Sequence, residues 1–245
     1  MLSHVRPDAA MTAHESSRRG LHGRVVDLLG RQLVSGRWSP AAPLPTEDVL
    51  AAELGVGRGV VREAIKVLQS KGLLEVRPKT GTRVRPRRAW HLLDADVVAW
   101  QFADMARAED LRELHEIRST IEAMAARLAA SRRTQGQLAE IEANERRVIA
   151  AGSEPVARRT AELDFHASIA DAAQNTLLAH VNAMVRVALE AIDVTFDDDP
   201  ESERGGATHR ADVSRAIGAS DAEAAETAMR RLEEYEWTRI TKELP

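Results

Sequence analysis

Residues 42–85 read APLPTEDVLAAELGVGRGVVREAIKVLQSKGLLEVRPKTGTRVR, and their punctuation predicts two short helices, a tight turn and a hairpin. Pro45 precedes Thr46, whose hydroxyl can accept an orphan backbone N–H, and Glu47 and Asp48 follow at the positive end of the helix dipole. Val49, Leu50 and Leu54 supply the buried side of this first helix. Gly55 ends it, because glycine takes the left-handed conformation without steric cost. The second helix runs from about Arg58 to Lys71, with Val60, Val61, Ala64, Ile65, Val67 and Leu68 as apolar positions. Arg58, Arg62 and Lys66 recur every four residues and share one face. Leu73–Arg77 and Thr82–Arg85 are β-prone segments around Pro78, Lys79, Thr80 and Gly81, so a cationic hairpin tip stands beside a cationic helix.

This order of helix, turn, helix and hairpin is a winged helix-turn-helix. Its second helix can enter the major groove of duplex DNA while the hairpin tip reaches sugar-phosphate or the minor groove. A row of cations on an isolated helix is often only a solvated surface; the adjoining basic wing favours the DNA contact. GVGRGVV (55–61) has the look of a dinucleotide-binding loop, but that fingerprint needs a preceding strand, and the LAAEL before it is helical.

Charge is divided along the chain. Residues 18–88 carry an excess of nine cations and residues 89–245 an excess of twelve acids, within a total of −4. Such a chain can hold phosphate through one region without adhering to nucleic acid everywhere, and salt should weaken that binding steeply. The 245 residues, 44% hydrophobic, suit two modest domains. Cysteine is absent, which excludes a disulfide framework, a thiol nucleophile and a thiolate metal site, and fits a reducing cytoplasm. No apolar run reaches the length of a membrane span, and residues 1–17 lack the apolar core of a signal peptide. The expectation is a cytoplasmic protein, without a membrane partner, that begins with a flexible tail over 1–17.

The DNA-binding domain is expected over 18–86, opened by a helix from about His22 to Ser35 that stops at Gly36. RPRR (85–88) reads as a basic linker. Residues 87–245 read as helical almost throughout, with breaks near Ala106, Thr134, Gly152, Asn175, residues 197–206 and Ser220 that delimit six or seven helices. Short connections favour antiparallel neighbours, so the fold class is mainly α: a winged helix-turn-helix with a small β wing, then an all-helical antiparallel bundle. DDDPESERGG (197–206) reads as its one long polar loop. Trp90, Trp100 and Trp237 read as packing anchors in a chain rich in alanine.

Leu111, Leu114, Arg118, Ile121, Ala125 and Leu128 follow steps of three and four, which puts Arg118 in the inward stripe of its helix. An arginine there needs an anion. Either it pairs with a neighbour such as Glu122, or it grips a ligand carboxylate with two parallel hydrogen bonds. Glu162 and His166, four apart, point the same way, as a hydrogen-bonded pair or as two ligands of a divalent ion. His115 and His180 read as surface or hydrogen-bonded histidines. A metal-dependent hydrolase built on Glu162 and His166 is the rival reading. It lacks a Ser or Cys nucleophile motif, a phosphate loop and a paired carboxylate set, so a role other than enzyme is favoured. A third reading is a DNA-binding architectural protein whose helices only dimerise.

LPTEDVLAAELGVGRGVVREAIKVLQSKGLLEVRPKTGTRV (44–84) resembles the DNA-binding domain of the GntR family of bacterial transcription regulators, in its Leu-Pro-x-Glu entry, its Val-Arg-Glu-Ala helix and its Gly-Leu-Leu lead into the wing. The resemblance implies that Arg58 and Arg62 contact operator DNA and that Gly81 shapes the wing tip. With Gly59 and Lys66 on the same helix, and Lys79 and Thr80 at the tip, these form the candidate DNA-binding set. Three positions depart from the usual pattern: Asp48 stands where many members like the fatty-acid-responsive branch have arginine, Gly57 replaces a frequent Ser or Thr, and Lys79 replaces the first glycine of Gly-x-Gly.

RAWHLLDADVVAWQ (88–101) and the helices after it resemble the FCD domain of the FadR branch, and regulators of the galactonate-repressor type in particular. This implies a ligand-responsive regulator, by analogy a repressor, that binds a palindromic operator as a homodimer. The implied effector is a small carboxylate such as a sugar acid, bound by Arg118 in ELHEIRSTIE (113–122). ELDFHASIADAAQN (162–175) resembles the metal-binding helix of these domains, implying one divalent ion, zinc or similar, on Glu162, His166 and His209. Glu162 stands where Asp is usual. His209 lies one residue out of the usual register with Ala216 and Ile217, and AMRRLEEY (228–235) offers Arg231 and Leu232 where a last histidine is expected.

Overall fold

A computed structural model of the chain describes residues 20–77, 81–103, 107–152, 154–192 and 200–242. Two compact units emerge, Met1–Ala103 and Asp104–Pro245. Both are built mainly of helices, and the first also holds a two-stranded sheet.

In the first unit, α1 (Leu21–Val34), α2 (Glu47–Leu54) and α3 (Arg58–Ser70) precede β1 (Leu74–Arg77), β2 (Gly81–Val84) and α4 (Ala95–Phe102). The expected punctuation is in place: the Thr46 hydroxyl accepts from the Val49 backbone N–H, and Gly55 closes α2 at φ 64°. The strands pair antiparallel, Leu74 opposite Val84 and Arg77 opposite Gly81, and Gly81 has φ 78°, where a side chain would be strained. The chain before α2 joins the sheet edge, Leu44 N–H donating to Thr82 O at 2.8 Å. Leu29, Leu33, Leu50, Leu68 and Leu73 fill the core. Val49, expected inside, is exposed. In so short a helix Leu50 is the one buried position, and its neighbour is turned about 100° away from it.

The first unit runs past the boundary at 86 read from the sequence, and RPRR is no free tether. Arg85 N–H donates to Leu73 O at 2.8 Å, and the Trp90 indole N–H to Arg85 O at 2.9 Å. The buried ammonium of Lys71 lies 2.8 Å from Asp94 and 2.9 Å from Asp96. On α4, the Trp100 indole N–H donates to Asp27 Oδ1 at 2.7 Å. Its ring lies so near α1 that a Cβ at Gly30 would sit 2.5 Å from it. Trp100 is thus the packing anchor expected of it.

The second unit consists, among the described residues, of α5 (Ala108–Arg132), α6 (Gln135–Ala151), α7 (Pro155–Ala172), α8 (Thr176–Ala191), α9 (Pro200–Gly218) and α10 (Ala222–Lys242). Local chemistry starts them: Thr134 and Gln137 form a capping box, Pro155 opens α7, and Asn175 caps α8. The long α5 packs against α7, α8, α9 and α10. Its Ala123, Ala126 and Ala129 are wholly buried, which lets Phe165, Ile169, Ile217 and Leu232 close in. DDDPESERGG is not a loop from residue 200 on, because α9 begins at Pro200; residues 197–199 and the break near Ala106 lie outside the described residues. Proline is tolerated in a first helical turn. Gly205 serves close packing rather than a bend, since a Cβ there would lie 2.8 Å from the Tyr235 hydroxyl. No helix among the described residues is long and apolar enough to cross a membrane.

Gly30→Ala should overpack the Trp100 contact and cost about 1–3 kcal/mol. Urea unfolding followed by tryptophan fluorescence measures this, and an unchanged midpoint would contradict the docking of α4 on α1.

Candidate functional site

The first candidate site is the outer face of α3. Val61, Ala64, Ile65 and Leu68 turn inward, which leaves Arg58, Arg62 and Lys66 exposed together on the opposite side. Arg58 Nε lies 3.0 Å from Glu47 Oε2 and Lys66 Nζ 2.8 Å from Glu63 Oε1. Such exposed pairs are worth little and exchange readily for phosphate. Arg62 makes no ion pair among the described residues. Gly57 gives α3 no side-chain cap, and the space around Gly59 is open, so the positive end of the helix is accessible. Gly81 starts β2 at the wing turn; Lys79 and Thr80 lie outside the described residues.

The second is a buried charge cluster in the helical unit. Arg118, on the inward stripe of α5, is about 5% exposed. Its Nε donates to Glu122 Oε1 at 3.1 Å and lies 3.0 Å from Glu233 Oε2, and its Nη2 lies 2.5 Å from Glu236 Oε2. His166 joins from α7, with Nε2 3.3 Å from Glu236 Oε1 and Nδ1 in close contact with Glu122. Three helices are therefore tied at one point.

Burial penalises every charge here, and the sign of each shift follows from which neighbour outweighs it. Burial alone would lower the His166 imidazole, but Glu122 and Glu236 raise it to about 10. Burial would raise Glu122, but His166 and Arg118 hold it at about 2. Against the same burial, Arg118 and His166 push Glu236 well below the usual carboxylate range. Burial wins at Glu233, whose carboxyl lies well above that range despite Arg118, with Glu122 and Glu236 adding to the rise.

Beside it opens a cleft whose space, the solvent at its mouth included, comes to about 520 Å³. Arg118, Arg159, Glu162, His166, Glu236 and Arg239 are its charged lining, and Leu163, Leu189, Ile192 and Ile240 its apolar lining. Arg118, singled out by periodicity, is thus both paired with Glu122 and present at a cavity.

Known proteins resemble this chain over both units. The gntR family of bacterial regulatory proteins matches residues 21–84, and the FCD domain matches residues 113–234. The galactonate operon transcriptional repressor of Escherichia coli is 30% identical over 84% of this chain and 90% of its own length. The chain belongs to the GntR family of bacterial regulators. A probable D-xylose utilization operon transcriptional repressor of Paenarthrobacter nicotinovorans is 31% identical over 89% of this chain and 88% of its own. In fold, the solved Lar regulator of Listeria monocytogenes is similar at a TM-score of 0.63 and 16% identity, covering 91% of this chain and 98% of that one. These families and relatives are transcription regulators, not enzymes.

For this GntR-family chain, the described residues bring together a donor group different from the expected one. Glu122, His166 and Glu233 have ligand atoms within 4.8 Å of one another, all buried, a group that could hold a metal ion. Glu122 Oε2, His166 Nδ1 and both Glu233 oxygens lack an aligned hydrogen bond, and carboxylate oxygen with imidazole nitrogen suits a zinc-like ion. Glu162 and His209 stand outside this group. Glu162 Oε1 instead accepts from Arg210 Nη1 at 3.3 Å, and His209 packs on Tyr235 with ring centroids 5.1 Å apart. The one-residue register offset explains this, because it rotates His209 about 100° away and brings Arg210 inward. Glu233, Glu236 and Arg210 escaped the sequence reading. Glu236 carried a usable signal, since Ala225, Met229, Leu232, Glu236 and Ile240 form the same kind of stripe that marked Arg118.

Arg118→Ala would strand buried carboxylates and should destabilise the helical unit by about 3–5 kcal/mol in urea unfolding. The cluster also sets a pH dependence, to be measured by unfolding in the presence of a chelator. His166, raised to about 10, contributes stability fully present below the unfolded value of 6.5 and lost as pH rises through 10. Glu122, held at about 2, contributes stability present above the unfolded 4.5 and lost as pH falls through 2. A decline above pH 6.5 that persists unchanged in His166→Asn would refute the assignment.

Proposed function

We propose that this regulator is a repressor that binds a palindromic operator as a homodimer and releases it when a small carboxylate enters the cleft beside Arg118. The observation that carries the sensing half is Glu236. This side chain lines the cleft, accepts from Arg118 and touches His166, so an internal carboxylate already occupies the place an effector's head would take. The effector exchanges with it on the same guanidinium. The names of the galactonate and xylose repressors support both the repressor sign and a small metabolite as effector.

The cationic face of α3 and the excess of nine cations over residues 18–88 support duplex DNA as partner. One recognition helix reads few base pairs, and two-fold pairing doubles the readout. Ile117 and Met124, seven residues apart on α5, are both about half exposed and offer an apolar strip to a second copy. A zinc-like ion on Glu122, His166 and Glu233 is part of the proposal, supported by their unaligned donor atoms. Elemental analysis of the purified protein tests it, with metal content expected to fall in Glu233→Gln and to persist in His209→Ala.

Arg62→Ala should cost about 1–3 kcal/mol of operator affinity and lower the salt slope by about 1. Anisotropy titrations across salt measure both, and identical isotherms would remove Arg62 from the interface. Arg118→Lys keeps the charge but loses the fork; it should bind operator normally and fail to respond to effector.

A further inference from the structure

The cleft has a second feature, the contrast between its walls. On the charged side, polar groups are engaged with one another: Arg118 with Glu236 at 2.5 Å, His166 with Glu236 at 3.3 Å, and Glu162 with Arg210 at 3.3 Å. Arg159, also on the lining, donates to Ile192 O at 2.7 Å. The rest of the lining, Leu163, Leu189, Ile192 and Ile240, is hydrocarbon beside the guanidinium of Arg239.

A second, shallower cleft, about 270 Å³ with the solvent at its mouth included, shares Arg118, Leu189, Ile192 and Ile240 with the first. It continues over Leu114 to Trp237, which stacks on His115 with centroids 4.5 Å apart and rings 10° from parallel. Burial lowers the His115 pKa, which favours an uncharged imidazole and keeps this far end apolar in character. The two clefts adjoin at these four shared residues, one with a charged end and the other with an aromatic end.

Such a groove discriminates among acids. The hydroxyls of a sugar acid would lie against leucine and isoleucine without partners, at a desolvation cost. A second carboxylate would fare worse, because displacing Glu236 frees only one anion's share of Arg118, and the other guanidiniums of the lining are already engaged, Arg159 with Ile192 O and Arg239 with the charge of Glu162. Hydrocarbon and ring carbons gain by leaving water in the same place.

We infer that the effector is an amphipathic monocarboxylate whose head exchanges with Glu236 on Arg118 and whose aliphatic or aromatic body runs along Leu189, Ile192 and Ile240 toward Trp237. This rests on the reading of Arg118 as the effector's carboxylate site, and it departs from the sugar acid implied by resemblance.

Isothermal titration and thermal shift of the full-length protein, with operator release as a third readout, test it using 4-phenylbutyrate, 4-methylpentanoate, gluconate and 4-phenylbutanamide. The two apolar acids are expected to bind at least tenfold more tightly than gluconate and than the amide. Leu189→Gln, at a half-buried position, and Trp237→Leu should each weaken 4-phenylbutyrate at least fivefold while operator binding stays intact. Gluconate binding more tightly than both apolar acids, and lost in Arg118→Lys, would overturn the apolar arm and leave carboxylate sensing standing. Equal binding of acid and amide, or no binding by any acid to a protein that still holds operator, would overturn the sensing site itself. An apolar acid insensitive to both groove variants would overturn its placement.

Discussion

The helical unit depends on a guanidinium held in the interior by carboxylates from two helices. Arg118 on α5 reaches Glu122 on its own helix and Glu233 and Glu236 on α10, while His166 on α7 closes the group. A buried arginine is a poor source of net stability, because desolvation consumes most of what the pairing returns. It does impose conditions: each charge must find its opposite, so α5, α7 and α10 can meet in few ways. The surrounding alanines supply closeness without much shape, and the cluster supplies the register that they cannot.

The DNA-reading unit obtains its definition by a different route. Its core is leucine and valine, and what extends it beyond the wing is the Lys71 ammonium held by Asp94 and Asp96, together with Trp100 laid over Gly30. Residues 85–103 thereby become part of the body that carries α3. The covalent junction to the helical unit then follows Ala103 rather than the basic segment.

What was legible in the sequence was what local chemistry dictates. Thr46, Gly55, Thr134 and Asn175 mark helix ends by hydrogen bonds within three residues, and they do so in the fold. The stripe through Arg118 was equally visible, because burial of a helix face is a matter of period. Partners were harder to see. Nothing near Arg118 in sequence identifies Glu233 or Glu236, more than a hundred residues away, and only tertiary packing delivers them. The same holds for the two glycines of DDDPESERGG: turn formers by local preference, they lie within a helix where Tyr235 needs room. His209 differs by a rotation, for one residue of offset decides whether imidazole or guanidinium faces Glu162.

The position of Glu236 limits what the proposed effector exchange would do to the fold. One turn earlier on α10, Glu233 holds Arg118 from a fully buried position, and Met229 and Leu232 anchor the same helix in the hydrophobic core. A ligand carboxylate that replaces Glu236 therefore leaves this anchoring intact and frees only the last turns of α10, where Trp237 and Ile240 line the groove. The free energy available to shift operator affinity is then the ligand's preference for the arrangement in which those turns are displaced. An acid whose body fills the groove beside Ile240 and Trp237 acts on that displaced segment directly, whereas one bound by its head alone would act on it only through Glu236.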